Sequence, residues 1–254
     1  MTFLDAFVLG VVEGLSEFLP ISSTGHLILA SALMKLQQTD GHKVFEVTIQ
    51  LGAMLAVLFI YCKRLVANPE LLKKLAVAFL PTGTIGFLLY KLVKSLFVPS
   101  LVSYMLILGG VAFILIEWFL KRHPASVEEV QNISYGQAFL IGLVQCLSMV
   151  PGVSRSGATI MGGLLCGLSR TAAAEFSFLL ALPTMLAATA YDIYKNHAVF
   201  QASDLQNIAV GFVTSFIFAV ISIKWLLRFV TSHTFVSFGI YRIAVGVLFL
   251  LFLF

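Results

Sequence analysis

Residues 10–26 read GVVEGLSEFLPISSTGH. This stretch combines two glutamates, a proline, four hydroxyl side chains and a histidine in a segment that is otherwise apolar enough to lie in a membrane. Ionisable side chains at bilayer depth are costly and persist mainly where they face a protein interior or a wet cavity. The stretch is therefore the first candidate for a functional site, and Pro20 within it predicts a break between two helical pieces at 3–19 and 22–35.

The composition of the whole chain indicates an integral membrane protein built from helices. Of its 254 residues, 59% are hydrophobic and only 11% are charged, whereas soluble proteins have roughly a quarter charged residues. The apolar runs have the length of helices and do not alternate, which favours an all-α polytopic fold over a barrel. The net charge of +4 is explained by lysines and arginines in loops, and no basic face with interleaved aromatic residues predicts nucleic-acid binding.

The predicted topology has two broken helices and six membrane spans. The pieces at 3–19 and 22–35 are each shorter than the roughly 20 residues that a full crossing requires, so they predict a re-entrant helical hairpin. A second broken element is predicted at 135–150 and 155–168, on either side of Pro151. Helix-length apolar runs predict the spans at 43–62, 75–92, 101–120, 172–194, 206–228 and 236–254.

The chain also resembles itself, which predicts a duplication within a single membrane domain covering residues 1–254. A shift of 132 positions superimposes Gly10 on Gly142, Leu15 on Leu147, Ser16 on Ser148, Ser22 on Ser154 and Gly25 on Gly157. The first repeat covers about 1–122 and the second about 133–254. Because each half holds three spans, an odd number, the halves must enter the membrane from opposite faces, which is the inverted-topology repeat of many transporters.

The positive charges favour one orientation of these spans. Eight lysines and arginines near the predicted helix ends fall on one side of the membrane and five on the other. Because cytoplasmic loops carry the excess of lysine and arginine, this bias places both termini outside the cytoplasm.

Glu13 and Glu17 form the acidic part of the candidate site. They are four residues apart, so on a helix both carboxylates project from one face. Such a pair predicts either a shared divalent cation, Mg²⁺ or Ca²⁺, with further oxygen ligands from a phosphate group, or a division of acid and base roles. The alternative is a structural pair that is hydrogen-bonded to neighbouring helices.

Ser22, Ser23, Thr24 and Gly25 open the second helical piece and are followed by His26. The unpaired backbone N–H groups and the positive end of a helix favour an anion at such a position. His26 is a candidate proton carrier or phosphate ligand. Helix capping alone explains one of the three hydroxyl groups, and a buried histidine bonded to a carboxylate is the alternative for His26.

The matching segment of the second half carries a guanidinium instead of acids. It reads Ser154-Arg155-Ser156-Gly157, with Thr159 one turn beyond Ser156. The planar fork of arginine binds phosphate oxygens at two points, and a second helix start adds backbone donors. A structural ion pair of Arg155 with Glu13, Glu17 or Glu175 is the alternative.

Together the two segments predict one site for a phosphorylated group at mid-membrane, with the hairpins meeting tip to tip. Five other charged residues in apolar sequence have no motif and are interpreted as supporting or pairing residues: Glu46, Glu117, Glu175, Asp192 and Arg242.

The chain resembles a known family, the bacitracin-resistance type undecaprenyl-diphosphatases. The resemblance rests on EGLSEFLPISSTGH at 13–26, PGVSRSGAT at 151–159 and GLSRTAAAEFSFLLALP at 167–183, and it extends over essentially the whole chain. It implies a membrane enzyme that removes one phosphate from C55 polyprenyl diphosphate. That reaction regenerates the carrier lipid for cell-wall synthesis and confers resistance to bacitracin.

The resemblance further implies a divalent cation, a polyprenyl diphosphate lipid as partner, and a bacterial inner membrane location with the site facing the periplasm or outer face. The family's acidic pair falls on Glu13 and Glu17, its serine and histidine elements on Ser22, Ser23 and His26, and its arginine motif on Ser154, Arg155 and Thr159. The nucleophile stays open among Ser23, His26 and water activated by Glu17. The oligomeric state stays open as well, with a homodimer as one alternative.

Two other functions are compatible with these features. A polyprenyl-phosphate lipid transporter is the first, because inverted repeats with broken helices are suited to alternating access. A type-2 phosphatidic-acid phosphatase ranks lower, because no histidine follows Arg155 before His197.

Overall fold

The computed structural model describes residues 1–37, 39–96, 98–122, 125–196 and 205–253, and these residues are almost entirely helical. Their only β-pairing is one isolated bridge between Val127 and Leu168. Two short 3-10 helices lie at Val130–Asn132 and Cys146–Met149. The α-helices are α1 Phe3–Ser16, α2 Ser23–Leu33, α3 Asp40–Ala67, α4 Pro69–Ser95, α5 Pro99–Leu120, α6 Tyr135–Gln145, α7 Arg155–Leu165, α8 Arg170–Asn196, α9 Leu205–Val230 and α10 Val236–Leu253.

Both predicted breaks are present in the backbone. The first helical piece ends at Ser16 and the chain turns through Pro20 before α2 begins, whereas the second piece tightens into the 3-10 helix Cys146–Met149 before the turn at Pro151. Helices α1, α2, α6 and α7 have 14, 11, 11 and 11 residues, which is shorter than a helix that crosses a bilayer.

Five of the described helices are long and apolar enough to cross a membrane, so the chain is an integral membrane protein with an all-helical fold. These candidate spans are Val44–Ala67, Pro69–Leu89, Ser100–Leu120, Arg170–Ala190 and Leu205–Val230. The sixth predicted span forms α10, whose apolar segment Val236–Leu251 is shorter than the others.

The predicted spans at 43–62 and 75–92 imply a loop between them that contains Lys63, Arg64, Lys73 and Lys74, and this prediction is wrong. Helix α3 continues to Ala67 and α4 begins at Pro69, so Asn68 alone separates them. Proline is favoured at the first position of a helix, where its missing N–H costs nothing. The Asn68 side-chain oxygen accepts a hydrogen bond from the Leu71 N–H at 3.0 Å, which caps the new helix.

The first helix of each half packs against a helix of the other half: α1 against α9, and α6 against α4. Glycines permit this close approach, because a Cβ built on Gly10 would stand 2.6 Å from the Gly211 carbonyl oxygen. Gly142, the residue that the sequence shift pairs with Gly10, lies against the backbone of Ala78 in the same way. The broken helices are thus held by long helices from both halves.

Candidate functional site

The first tip comprises residues 13–26 and the second tip residues 145–159, and the turn in each of them ends in the same unusual serine cap. Ser22 caps α2 with φ 71° and Ser154 caps α7 with φ 76°, both in the left-handed region that a side chain rarely adopts. Each hydroxyl accepts a hydrogen bond from the N–H three residues later, at Gly25 and Gly157 respectively. Such backbone strain costs on the order of 1–3 kcal/mol and occurs preferentially at functional sites.

The residues that follow these caps meet across the two halves. Ser23 is the first residue of α2 and Arg155 the first of α7. Arg155 Nη2 donates to Glu17 Oε1 at 2.7 Å, and Ser23 Oγ donates to Glu17 Oε2 at 2.5 Å. The predicted tip-to-tip contact is therefore confirmed, and it takes the form of the ion pair that was the structural alternative for Arg155.

Arg155 is oriented by its surroundings. Its Nη1 donates to the Ser177 carbonyl oxygen at 2.9 Å, and its guanidinium lies 5.6 Å from the centre of the Phe18 ring. The Phe18 ring in turn contacts Phe178 edge to face, at 5.4 Å between centroids. The Arg155 guanidinium lies against an aromatic ring in a largely buried site, so it is well placed to bind an anion that displaces the Glu17 carboxylate.

Glu13 is fully buried, and neither of its carboxylate oxygens accepts a hydrogen bond from a residue that the structure describes. The Glu17 N–H donates to the Glu13 carbonyl at 2.9 Å, so the helical turn that places the two side chains on one face is intact. A buried carboxylate without a partner is costly unless a proton or a cation compensates it.

The acidic pair therefore fits a divalent cation. The described residues contain no group of three or more His, Cys, Asp or Glu side chains that could hold a metal ion by themselves. A cation at Glu13 and Glu17 would consequently depend on oxygen ligands from water or from a phosphate, which is how Mg²⁺ is commonly held.

The hydroxyl groups of the second tip are bonded to protein atoms in this structure. Ser156 Oγ donates to the Leu19 carbonyl of the first tip at 2.8 Å and lies 3.0 Å from Ser154 Oγ. Thr159 Oγ1 lies 2.6 Å from Ser177 Oγ. These hydroxyls join the two tips and support Arg155, so the predicted role of Ser156 and Thr159 as phosphate ligands would require them to exchange these partners.

The alternative proposed for His26 is wrong, because its partners are not carboxylates. Its Nδ1 lies 2.8 Å from the Ser22 carbonyl oxygen and its Nε2 lies 2.8 Å from the Tyr241 hydroxyl. A carbonyl oxygen can only accept, so Nδ1 carries the proton and the lone pair of Nε2 faces Tyr241. Thr24 lies between Ser23 and Gly25 in the first turn of α2 and is partly exposed.

Several residues that were not predicted as site residues also belong to this region. Ser177 and Tyr241 contact Arg155 and His26, and the fully buried Arg242 bonds to both tips. The sequence indicates Arg242 as a supporting or pairing residue but does not indicate its contacts with both tips. Tyr241 is its polar neighbour in the last apolar run, and Ser177 lies within the stretch 167–183 that carries the family resemblance.

Three of the charged residues interpreted as pairing residues do pair. Glu46 lies 3.1 Å from His42 Nε2, Glu175 3.0 Å from Arg64 Nη1, and Glu117 2.5 Å from Arg170 Nη2. The side chain of Asp192 lies outside the described residues.

Comparison with known proteins gives the same family as the resemblance of the sequence motifs. Residues 6–248 match the model of the family described as Bacitracin resistance protein BacA. The chain is 57% identical over 251 residues to the undecaprenyl-diphosphatase of Sulfurihydrogenibium sp., covering 99% of both chains. It is 56% identical over 252 residues to the undecaprenyl-diphosphatase of Persephonella marina, covering 99% of both chains. It is 54% identical over 253 residues to that of Wolinella succinogenes, covering 100% of this chain and 99% of the relative.

Proposed function

Because this chain belongs to the bacitracin resistance protein BacA family, we propose that it is a membrane phosphatase that hydrolyses undecaprenyl diphosphate to undecaprenyl phosphate and inorganic phosphate. The observation that carries the proposal is the part-buried contact of Arg155 with Glu17 together with the buried contact of Glu17 with Ser23. These contacts bring together the guanidinium of Arg155 as anion ligand, the carboxylate of Glu17 as base and the hydroxyl of Ser23 as nucleophile. Ser23 and Arg155 are the first residues of their helices. The reaction would recycle the carrier lipid for cell-wall synthesis and confer resistance to bacitracin.

Substrate binding begins with Arg155. The terminal phosphate displaces Glu17 from the guanidinium, and the N-termini of α2 and α7 contribute backbone donors to the diphosphate. Since transfer of a phosphoryl group depends mainly on positioning and charge neutralisation, these donors supply most of what the reaction requires.

Glu17 then acts as the base for Ser23. The 2.5 Å contact between Ser23 Oγ and Glu17 Oε2 is the geometry of a nucleophile and its base. Ser23 Oγ loses its proton to Glu17 and attacks the terminal phosphorus, while undecaprenyl phosphate departs. Water then hydrolyses the phosphoserine and releases inorganic phosphate. Direct attack by water activated by Glu17, or by His26, gives the same products and stays an alternative.

Glu13 and Glu17 are the residues that would hold a divalent cation, Mg²⁺ or Ca²⁺. When bound, the cation would neutralise charge on the phosphate oxygens. The two unpartnered oxygens of Glu13 support this assignment, because a buried carboxylate requires compensation.

We extend the proposal to the membrane arrangement. Helices α1–α2 and α6–α7 form two re-entrant hairpins, and α3, α4, α5, α8, α9 and α10 cross the bilayer as an inverted repeat. The short helices, the matching serine caps and the matching glycine contacts of the two halves support this topology. The charge bias supports termini outside the cytoplasm, and membership of the family supports an inner-membrane protein with its site toward the periplasm or outer face. A homodimer and the repeat boundaries stay predictions.

The transporter alternative receives less support than the phosphatase. The relatives that match over the full length carry the name of a diphosphatase. A glutamate side chain within hydrogen-bonding distance of a serine also suits hydrolysis better than the simple release of a bound head group.

The test is release of inorganic phosphate from undecaprenyl diphosphate by the purified protein, with and without a chelator. We expect turnover that the chelator abolishes and that added Mg²⁺ or Ca²⁺ restores. Arg155→Ala should lower turnover by at least about 10²-fold, the typical cost of removing one donor to a developing charge. Arg64→Ala is the matched control, because Arg64 also pairs with a glutamate of the other half, Glu175 at 3.0 Å, and its second hydrogen bond goes to Gln131 and not to Glu17 or Ser23. Equal turnover of the two variants would contradict the assignment.

A further inference from the structure

We propose that Arg242 is a positioning residue for this reaction: its guanidinium bridges the carbonyl oxygens of Pro20 and Gly152 and thereby sets the spacing between Ser23 and Arg155. The inference rests on the proposed function of those two residues. It assigns a task to a buried charge on α10 that neither the acidic nor the arginine motif includes.

The contacts of Arg242 join three parts of the molecule. Nη1 donates to the Pro20 carbonyl of the first tip at 3.1 Å, and Nη2 donates to the Gly152 carbonyl of the second tip at 2.9 Å. Nη2 also donates to the Met105 carbonyl of α5 at 3.1 Å, and Nε to the Leu106 carbonyl at 3.4 Å. One rigid group therefore ties both turns to each other and to a spanning helix.

The two carbonyl groups that Arg242 bridges lie at the same sequence distance from Ser23 and from Arg155, respectively. Ser23 follows Pro20 by three positions, and Arg155 follows Gly152 by three positions. The hydroxyl that attacks and the fork that holds the phosphate are thus each one short turn from an Arg242 contact. A shift of either turn changes the distance between them directly.

The protein makes room for this guanidinium with glycines. A Cβ built on Gly109 of α5 would overlap Nη2, and a Cβ on Gly157 would stand 3.1 Å from Nη1. A Cβ on Gly110 would stand 3.2 Å from the Arg242 Cβ. Without side chains at these positions, the guanidinium can reach carbonyl oxygens of α5 that are otherwise covered inside a helix.

Arg242 is fully buried, and its side chain forms no ion pair with a carboxylate in the described part of the chain. Burying an arginine in a membrane protein is costly, so carbonyl oxygens must compensate its charge. Two of these oxygens belong to the tips. Movement of either tip away from Arg242 therefore removes a hydrogen bond that compensates the buried charge. The positions of both turns and the stability of the buried guanidinium are thus coupled.

The contacts also separate a positioning role from substrate binding. Four of the five N–H donors of an arginine are taken by backbone carbonyls here. Loss of positioning lowers kcat, because misplacement by about 1 Å can cost about 10²-fold. Loss of a substrate ligand instead raises KM.

The first variant is Arg242→Lys, which keeps the charge and loses the fork, with Arg228→Lys on the exposed end of α9 as control. In phosphate release from undecaprenyl diphosphate we expect Arg242→Lys to lower kcat by about 10²-fold with little change in KM. The control should match the wild type. Normal kcat per folded molecule, or a raised KM with normal kcat, would overturn the proposal.

The second variant is Gly109→Ala, which leaves Arg242 unchanged but displaces its guanidinium, because the flexible side chain gives way to the new methyl group. Gly136→Ala is the control, since a Cβ there meets no atom closer than 4.0 Å. We expect Gly109→Ala to reproduce the loss of kcat, with thermal unfolding in detergent confirming folded protein. Normal kcat in Gly109→Ala, or failure of both Arg242→Lys and Gly109→Ala to fold, would reduce Arg242 to a structural residue and overturn the proposal.

The wild-type assay distinguishes failure of the proposed function from failure of the proposed role of Arg242. A wild type that releases no phosphate contradicts the proposed function itself. An active wild type with normal Arg242→Lys and Gly109→Ala variants contradicts only the role of Arg242.

Discussion

The two tips of this molecule share a backbone and differ in chemistry. Ser22 and Ser154 cap their helices with nearly the same left-handed φ, yet Glu13 in the first half corresponds to Gln145 in the second. Within the described part of the chain, no group donates a hydrogen bond to either carboxylate oxygen of Glu13, whereas the Gln145 amide donates to Thr82 at 2.8 Å and to Thr184 at 3.1 Å. One half therefore keeps an unsatisfied acid, and the other half satisfies the equivalent position.

This difference indicates how two copies of one backbone arrangement form a single site. The second half supplies a stable turn and the guanidinium of Arg155, and the first half supplies the acids and Ser23. The part-buried contact of Arg155 with Glu17 joins these contributions across the duplication. Neither tip contains the full set of groups, so neither is expected to act alone.

The largest effect should come from making the first tip resemble the second. Glu13→Gln replaces the unpartnered carboxylate with an amide that binds a divalent cation poorly. We expect phosphate release to fall by at least about 10²-fold and its dependence on Mg²⁺ to weaken. Thermal unfolding in detergent should stay unchanged or shift upward, because a buried charge without a partner is removed. Near-normal turnover with unchanged Mg²⁺ dependence would contradict the assignment of Glu13.

The reverse exchange should affect stability instead. Gln145→Glu removes both donated hydrogen bonds and places a charge beside Thr82 and Thr184. We expect a loss of about 1–3 kcal/mol in the free energy of unfolding, the usual cost of leaving a buried polar group unsatisfied. The measurement is thermal or denaturant unfolding in detergent. A variant as stable as the wild type would mean that the second tip tolerates an acid as readily as the first.

The serine caps should give the smallest and most symmetrical effects. Ser22→Gly and Ser154→Gly each lose a side-chain cap worth a few tenths of a kcal/mol relative to glycine but relieve the left-handed backbone. We expect both to raise the free energy of unfolding, by about 1 kcal/mol. Unfolding measurements on the two variants check this, and shifts of opposite sign would show that the two backbones are not equivalent.

Much of this arrangement could be predicted from local sequence. Pro20 and Pro151 mark the two breaks, and the hydroxyl-rich helix starts identify the caps. The duplication also led to the prediction that Arg155 meets the acids, because matching segments of an inverted repeat approach each other. These signals are local, or they repeat within the chain, so they can be recognised without coordinates.

Other features depend on tertiary contacts that no motif encodes. Arg242 bonds to backbone carbonyls of distant segments, and a carbonyl leaves no trace of its partner in the sequence. The same holds for the Ser177 carbonyl that orients Arg155 and for Tyr241 beside His26. The engagement of Ser156 and Thr159 by protein atoms was not predicted either, since a hydroxyl suits a phosphate and a carbonyl equally well.

A double-mutant cycle on phosphate release tests the central claim most directly, that groups from both halves act as one unit. The cycle compares Glu17→Gln, Arg155→Ala and the combined variant in single-turnover assays on undecaprenyl diphosphate. Residues that act as a unit are strongly non-additive, so the combined variant should be about as impaired as the worse single variant. Losses that multiply, with the combined variant slower by the product of the two single effects, would contradict a shared site at the meeting of the two tips.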